Sequence, residues 1–131
     1  HRTALALSGF PLAPRSVRAK EAARLGRQGM EELNAQGWVH GDLGAANLLT
    51  SSAGQLFVLD WDNAVFDGPA LADDIGLWLS ARQQQVFRDP SKMHDLLVRM
   101  FGDQRPQMDE ALLFLAERDT LAAQKILECS A

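Results

Sequence analysis

The stretch that decides the fold reads His-Gly-Asp-Leu-Gly-Ala-Ala-Asn-Leu-Leu at residues 40–49 and continues to Val-Leu-Asp-Trp-Asp at residues 58–62. Residues 56–59 are apolar and β-prone, and an acidic stretch follows them, which predicts a buried strand. Residues 48–50 precede that strand across a polar turn, so the two runs predict a short hairpin. Polar residues stand at the ends of both strands.

Two carboxylates and an amide lie near the base of this predicted hairpin. Because a hairpin brings its base together, we expect Asn47 and Asp60 to be close neighbours. Oxygen ligands of this kind suit a hard cation, most simply Mg²⁺, and Mg²⁺ points to phosphate chemistry. Asp42 lies just before the pair and is placed to accept a proton.

The remaining chain predicts a mostly helical α+β domain. Residues 1–14 contain two prolines and read as an irregular or extended lead-in. Ser16 is a candidate helix cap, and Gly37 suits a helix C-terminus. Apolar residues at helical spacing predict helices over about residues 16–36, 70–87, 89–101 and 109–128. The predicted order is therefore one helix, a small hairpin and three helices.

Composition narrows the class of protein. The chain has 131 residues, a formal net charge of -4 and one cysteine, Cys129. This length fits one domain, and the acidic balance argues against non-specific nucleic-acid binding. No apolar stretch approaches the roughly 20 residues that span a bilayer, and there is no signal-peptide pattern. With a single cysteine, a reducing cytoplasmic setting is expected.

The pattern His-x-Asp-x-x-x-x-Asn, followed by an apolar strand ending in Asp, resembles the catalytic and metal-binding loops of the protein-kinase superfamily. The closer resemblance is to the aminoglycoside phosphotransferase and choline kinase branch, where His-Gly-Asp-Leu is common and the strand often ends in Asp-Trp or Asp-Phe. Gly-Pro at residues 68–69 and Asp-Asp-Ile-Gly at residues 73–76 resemble that branch's next block. The resemblance implies that residues 1–131 are a kinase-like C-terminal lobe, with the hairpin carrying the catalytic and metal loops.

The resemblance also implies roles for the polar residues. Asp42 matches the catalytic aspartate, which orients the acceptor hydroxyl and takes its proton. Asn47 and Asp60 match the residues that hold metal ions on the nucleotide phosphates. Asp62 follows two residues later and either touches metal through water or is a solvated acid.

Two further residues match supporting positions. His40 corresponds to the histidine whose ring supports the catalytic loop. Asp74, or failing that Asp73, corresponds to an acid at a helix start that braces the same loop.

Departures from the resemblance bear on the substrate. Gly44 stands where protein kinases usually carry lysine and many small-molecule kinases carry histidine or serine, so a phosphate-contacting side chain is missing. The interval between Asp60 and Asp73 is too short for an activation loop with an Ala-Pro-Glu motif, which favours a small-molecule acceptor. Residues 1–37 hold no Gly-rich phosphate loop followed by a strand lysine. We therefore expect the N-lobe to be absent from this chain, which would be incomplete as a catalyst by itself.

The sequence thus predicts phosphoryl transfer, dependent on Mg²⁺ and ATP or GTP, to a hydroxyl of an aminoglycoside- or choline-like molecule. Expected partners are the nucleotide, the acceptor, and either a missing N-lobe or a second copy of the chain; neither nucleic acid nor membrane is expected. One alternative is a non-catalytic pseudo-kinase or regulatory lobe, suggested by Gly44 and the missing N-lobe. Another is a metal-dependent phosphohydrolase using the same acidic cluster.

Overall fold

The computed structural model of the chain describes residues 4–6, 14–16, 19–53 and 55–130. Its strands are β1 (Ala4–Ala6), β2 (Pro14–Ser16), β3 (Trp38–Val39), β4 (Leu48–Ser51), β5 (Leu56–Leu59) and β6 (Val65–Phe66). Its helices are α1 (Ala19–Ala35), α2 (Ala72–Ala81), α3 (Gln83–Arg88), α4 (Pro90–Phe101), α5 (Arg105–Glu117) and α6 (Leu121–Ser130). Short 3-10 turns cover Ala45–Asn47 and Gly102–Gln104. The mostly helical α+β class predicted from the sequence is confirmed.

The predicted hairpin is the centre of a four-stranded antiparallel sheet in the order β1-β5-β4-β2. Leu48 lies opposite Val58 and Leu49 opposite Phe57. The turn is closed by two hydrogen bonds between Ser51 and Gln55: the Ser51 N–H donates to the Gln55 carbonyl, and the Gln55 N–H donates to the Ser51 hydroxyl. This register places Asn47, just before β4, at the same end of the hairpin as Leu59 and the residues that follow it.

The outer strands differ from the sequence prediction. Ala4–Ala6 pairs with β5, and Pro14–Ser16 pairs with β4, where an irregular or extended lead-in and a helix cap at Ser16 were expected. Residues 4–6 and 14 thus adopt the extended one of the two conformations expected for the lead-in, because the free edges of the hairpin offer hydrogen-bonding groups to an adjacent extended segment. Helix α1 begins at Ala19 instead of Ser16. The rest of the lead-in, residues 1–3 and 7–13, lies outside the described residues.

Five α-helices, not three, follow the hairpin in the continuous stretch 55–130. The predicted helix over residues 70–87 breaks at Arg82 (φ -123°, ψ 26°). The predicted helix over residues 109–128 breaks at 118–120, where Asp119 adopts a left-handed conformation (φ 66°). The Thr120 N–H then donates to the Leu115 carbonyl at 3.0 Å, which reverses the chain so that α6 packs against α5.

Two hydrophobic clusters hold the fold together. The helical cluster joins α2 to α6 and includes Ile75, Leu79, Leu97, Leu112 and Ile126, all fully buried. The hairpin cluster joins α1, the loop before β4, the hairpin and α2; its buried members are Met30, Leu43, Leu48, Leu56, Val58 and Leu77. Helix α2 belongs to both clusters and so fixes the hairpin against the helical layer.

Helices α1 and α2 approach closely at Gly26. A Cβ atom at this position would lie 2.9 Å from both terminal carbons of Leu77. The absence of a side chain at Gly26 therefore lets α1 pack directly on α2. Within the described part of the chain, no helix is both long and apolar enough to cross a membrane.

Candidate active site

The segment between β3 and β4, residues 40–47, is held in place by a buried leucine and a glycine. Leu43 is 3% exposed and lies in the hairpin cluster, so its neighbours on either side are held in place. Gly41 has φ +88°, and a Cβ atom there would lie 2.5 Å from the Asn63 carbonyl oxygen. Only glycine tolerates both conditions, and its presence brings this loop against the segment that follows β5.

His40 ties the same loop to strand β5. The imidazole is fully buried, its Nε2 lies 2.8 Å from the Leu59 carbonyl oxygen, and its Nδ1 accepts the Asp42 N–H at 3.1 Å. These partners suit the tautomer that carries its proton on Nε2 and leaves Nδ1 as an acceptor. The Trp61 ring packs edge-on against it at 4.9 Å. His40 therefore connects Asp42 to the end of β5 that leads into Asp60.

Asp73, in the first turn of α2, braces the backbone of the loop. It is 3% exposed; its Oδ2 accepts the His40 N–H at 2.9 Å and its Oδ1 accepts the Gly41 N–H at 3.1 Å. The side-chain Nδ2 of Asn34, in α1, donates two hydrogen bonds: one to the Asp73 Oδ2 at 3.0 Å and one to the Trp38 carbonyl at 2.7 Å. One carboxylate thus joins the loop, α1 and α2.

The structure corrects the sequence assignment of this brace to Asp74. The Asp74 carboxylate lies 3.3 Å from Nε of Arg27, whose side chain is 68% exposed, and forms a surface ion pair. Successive positions on a helix point about 100° apart, so only one of the two adjacent acids can face the loop. The contribution of Asn34 had no sequence signal, because it lies in α1, well outside the motif.

Asp42 stands at the open side of the loop. Its residue is exposed, and Asn47 donates from Nδ2 to its carbonyl at 2.8 Å and towards its carboxylate at 3.4 Å. Partial burial of its carboxylate raises the pKa of Asp42; a charge on His40 lowers that pKa, the nearby charge of Asp60 raises it, and the Asn47 hydrogen bond lowers it. The effect of burial is the largest of the four, so the net shift of the Asp42 pKa is upward.

Asn47 and Asp60 offer oxygen atoms beside Asp42. The amide nitrogen of Asn47 faces Asp42, so its Oδ1 remains as an acceptor. Asp60 is half-buried and left-handed (φ 58°) at the end of β5, a conformation that non-glycine residues adopt mainly at special sites. A carboxylate and an amide oxygen fit Mg²⁺, which proteins usually bind through few side chains together with substrate phosphates.

Asp62 is exposed two residues beyond Asp60, so the structure leaves both its water-mediated and its solvated interpretation open to test. Among the described residues, no group of three or more His, Cys, Asp and Glu side chains forms a metal site by itself.

A cavity of about 410 Å³ opens beside Asp42, between the loop and helices α2, α5 and α6. Its polar lining comes from Asp42, Asn47, Ser80, Gln83, Arg118, Asp119 and Thr120. Arg118 is turned onto Phe114, with its guanidinium carbon 3.6 Å from the ring centre and Nη1 donating to the Phe114 carbonyl. Sequence analysis missed this wall, because it predicted an unbroken helix over 118–120 and assigned no role to Ser80.

Comparison with known proteins agrees with this geometry. The sequence profile of the phosphotransferase enzyme family (APH) matches residues 3–110, which is most of the chain and includes every polar residue of the loop. The match confirms the resemblance found in the sequence. No curated protein and no solved structure matches the chain significantly. The chain belongs to the phosphotransferase enzyme family.

Proposed function

We propose that this chain supplies the catalytic lobe of an enzyme that transfers the terminal phosphoryl group of ATP, or GTP, to a hydroxyl group of a small molecule. The observation that carries the proposal is the arrangement around Asp42. Its carboxylate stands at the mouth of the cavity, hydrogen-bonded by Asn47 and close enough to Asp60 to feel its charge. Family membership supports phosphotransferase chemistry in general.

Asp42 is the proposed proton acceptor. A hydroxyl group in the cavity would donate its hydrogen bond to this carboxylate, which orients the oxygen for attack and takes the proton as the bond to phosphorus forms. A raised pKa makes a carboxylate a better base near neutral pH, and burial together with Asp60 shifts the pKa of Asp42 in that direction. The hydrogen bonds of His40 and Asp73 keep the loop backbone, and hence this carboxylate, in place.

Asn47 and Asp60 are the proposed holders of Mg²⁺. When bound, the ion would neutralise negative charge on the nucleotide phosphates. Asn47 contributes Oδ1, because its amide nitrogen is engaged by Asp42. Asp60 follows strand β5 in a left-handed conformation and is half-buried. Its charge lies close enough to Asp42 to raise the pKa of that residue.

The cavity supports a small acceptor that is neutral or cationic. Its volume, about 410 Å³, falls within the usual size of small-molecule sites. Two of its lining groups, Asp42 and Asp119, are acids, while the Arg118 guanidinium is occupied by Phe114. Aminoglycoside-like or choline-like alcohols fit this charge pattern. The nucleotide base would be bound by an N-terminal lobe or by a second copy of the chain.

Calorimetry of Mg²⁺-dependent nucleotide binding tests the metal assignment. The protein expressed from its complete reading frame should bind ATP or GTP in the presence of Mg²⁺, and Asp60→Asn should abolish that dependence. The matched control is Asp95→Asn, which removes an exposed acid on α4 and should bind as the wild type does. Equal binding by wild type and Asp60→Asn would contradict the proposal.

Release of ADP or GDP with a panel of alcohols, including kanamycin and choline, tests the role of Asp42. We expect Asp42→Asn to bind nucleotide normally but to lower kcat by at least about 100-fold, since general-base catalysis typically contributes that much or more. Transfer at the wild-type rate by this variant would refute Asp42 as the proton acceptor.

A further inference from the structure

Ser80 places a hydroxyl group beside the loop that carries Asp42. It lies in the last turn of α2, is exposed, and lines the same cavity as Asp42 and Gly44. Within the part of the chain that the structure describes, its hydroxyl has no hydrogen-bond partner. This hydroxyl, which lines the same cavity as Asp42, is therefore available to a ligand.

Gly44 is glycine for steric reasons that involve Ser80. Its backbone is fully extended (φ -174°, ψ 175°), a conformation that any residue adopts. A Cβ atom at this position would lie only 2.4 Å from the Ser80 hydroxyl oxygen and 3.0 Å from the Ser80 Cβ. Ser80 therefore occupies the space that a side chain at position 44 would need, and the two residues are sterically matched.

We propose that Ser80 is a substrate-contacting residue that determines acceptor specificity, with its hydroxyl hydrogen-bonded to an oxygen of the acceptor beside Asp42. This inference rests on the proposed function. The sequence suggested that Gly44 leaves the loop without a polar side chain; the structure supplies a polar group at that place from α2 instead. Because Gly44 has no side chain, the Ser80 side chain can occupy this space.

The residues that line the cavity indicate that Ser80 contacts the acceptor and not the nucleotide. Beyond Ser80, the walls are made by Leu115, Thr120 and Leu121 of the α5–α6 region. Of the two proposed metal ligands, Asn47 lines the cavity beside Asp42, whereas Asp60 does not line it. A ligand in contact with Ser80 thus lies on the helical side of Asp42.

Steady-state kinetics with the best alcohol from the panel test the inference in the complete protein. Ser80→Ala should raise KM for the alcohol about three- to tenfold, the usual effect of losing one hydrogen bond, with KM for ATP unchanged. Ser80→Thr, which keeps the hydroxyl, should restore most of the affinity. Ser91→Ala, an exposed serine on α4, is the matched control and should behave as the wild type.

Gly44→Ala tests the steric match. It should raise KM for the alcohol as Ser80→Ala does, because the new methyl group displaces the hydroxyl. The double variant should be no worse than either single variant, since both remove the same contact. Additive losses, an unchanged KM in Ser80→Ala, or a change in KM for ATP alone would each overturn the inference.

Failure of this inference is distinct from failure of the proposed function. An active wild type with an unaffected Ser80→Ala variant refutes only the role of Ser80. If the wild type transfers phosphate to no member of the panel, the proposed function fails. Ser80 is then tested by titrating kanamycin and choline into ¹⁵N-labelled protein. Saturable shifts of the Gly44 and Ser80 amides that weaken in Ser80→Ala would support the contact; their absence would overturn it.

Discussion

Asp73 is a buried carboxylate whose charge is balanced by hydrogen bonds. Its oxygens accept from the His40 and Gly41 N–H groups and from the Asn34 amide. It also lies in the first turn of α2, where the helix dipole favours negative charge. The loop that carries Asp42 therefore depends on one side chain for its backbone geometry.

Replacing Asp73 by Asn should lower the free energy of unfolding by about 2–3 kcal/mol. The side-chain NH₂ group of the new asparagine would face at least one backbone N–H, and two donors cannot form a hydrogen bond. The charge-assisted hydrogen bonds of the carboxylate would also be lost. Asp74→Asn, which breaks only a surface ion pair, is the control and should change stability by less than about 1 kcal/mol. Urea denaturation of both variants measures this. Similar losses in the two would show that Asp74 also supports the loop.

Asp42→Asn should stabilise the fold at neutral pH. The pKa of Asp42 is raised in the folded protein, so the folded protein binds this proton more tightly than the unfolded chain does. Ionisation of Asp42 therefore lowers the free energy of unfolding as the pH rises above the ordinary pKa of an aspartate. The amide removes that cost. Thermal melts at pH 7 should show a higher Tm for the variant, with the difference vanishing below about pH 3.8. A lower Tm at pH 7 would contradict the raised pKa.

The sequence predicted the polar residues of the loop but not all of their neighbours. Asp42, Asn47 and Asp60 are close in the chain and joined by a hairpin, so local rules bring them together. The choice between Asp73 and Asp74 depends on the rotation of α2 about its axis, which the packing of Leu77 on Gly26 settles. Asn34 and Ser80 reach the loop only through long-range packing, which no local pattern encodes.

The buried side chains of the β4–β5 hairpin support the loop of residues 40–47. Leu48 and Val58 are both fully buried and lie opposite one another in the ladder. Leu48 directly follows Asn47, so packing of the strand and position of the amide are linked. The hairpin was predictable because apolar residues and turn residues both mark it.

Leu48→Ala should cost about 2–5 kcal/mol of unfolding free energy, the usual range for a large buried aliphatic side chain. It should also loosen Asn47 and so weaken Mg²⁺-dependent nucleotide binding. Leu113→Ala, at an α5 position that is 53% exposed, is the control and should have little effect on either property. Chemical denaturation and calorimetry measure the two effects. A loss of unfolding free energy below about 1 kcal/mol would mean that the hairpin cluster repacks into the space left by the Leu48 side chain.

The helix boundaries were less predictable than the hairpin. The two helix breaks, at Arg82 and at residues 118–120, contain neither glycine nor proline. Those are the residues that usually mark a helix break in a sequence. Asp119 adopts a left-handed conformation that aspartate tolerates better than most residues. Tertiary packing of α6 on α4 and α5 decides the break, and it is this break that creates the helical wall of the cavity.

Helix α2 couples the two hydrophobic clusters into one cooperative unit. Ile75 and Leu79 lie in the helical cluster, and Leu77 lies in the hairpin cluster. A helix that packs on both sides transmits destabilisation from one cluster to the other. The described fold should therefore unfold in a single transition.

Ile126→Ala tests this coupling from the far end of the helical cluster. The substitution empties a fully buried site on α6 and should reduce unfolding free energy by about 2–5 kcal/mol. Native-state hydrogen exchange should show the same reduction for amides of β5 and of α5. Met100→Ala, at a position 46% exposed, is the control. Loss of protection in α5 alone would show that the clusters unfold separately.

The cavity beside Asp42 lies at the boundary between these clusters. One wall carries Leu43 of the hairpin cluster, and the opposite wall carries Leu115 and Ala122 of the helical cluster. Substitutions at residues 118–122 should thus reshape one wall of the cavity while leaving Asp42, the proposed proton acceptor, and its hydrogen bonds unchanged. A laboratory evolution experiment for new alcohols should collect its mutations there, so that the range of substrates diversifies while the chemistry is inherited intact.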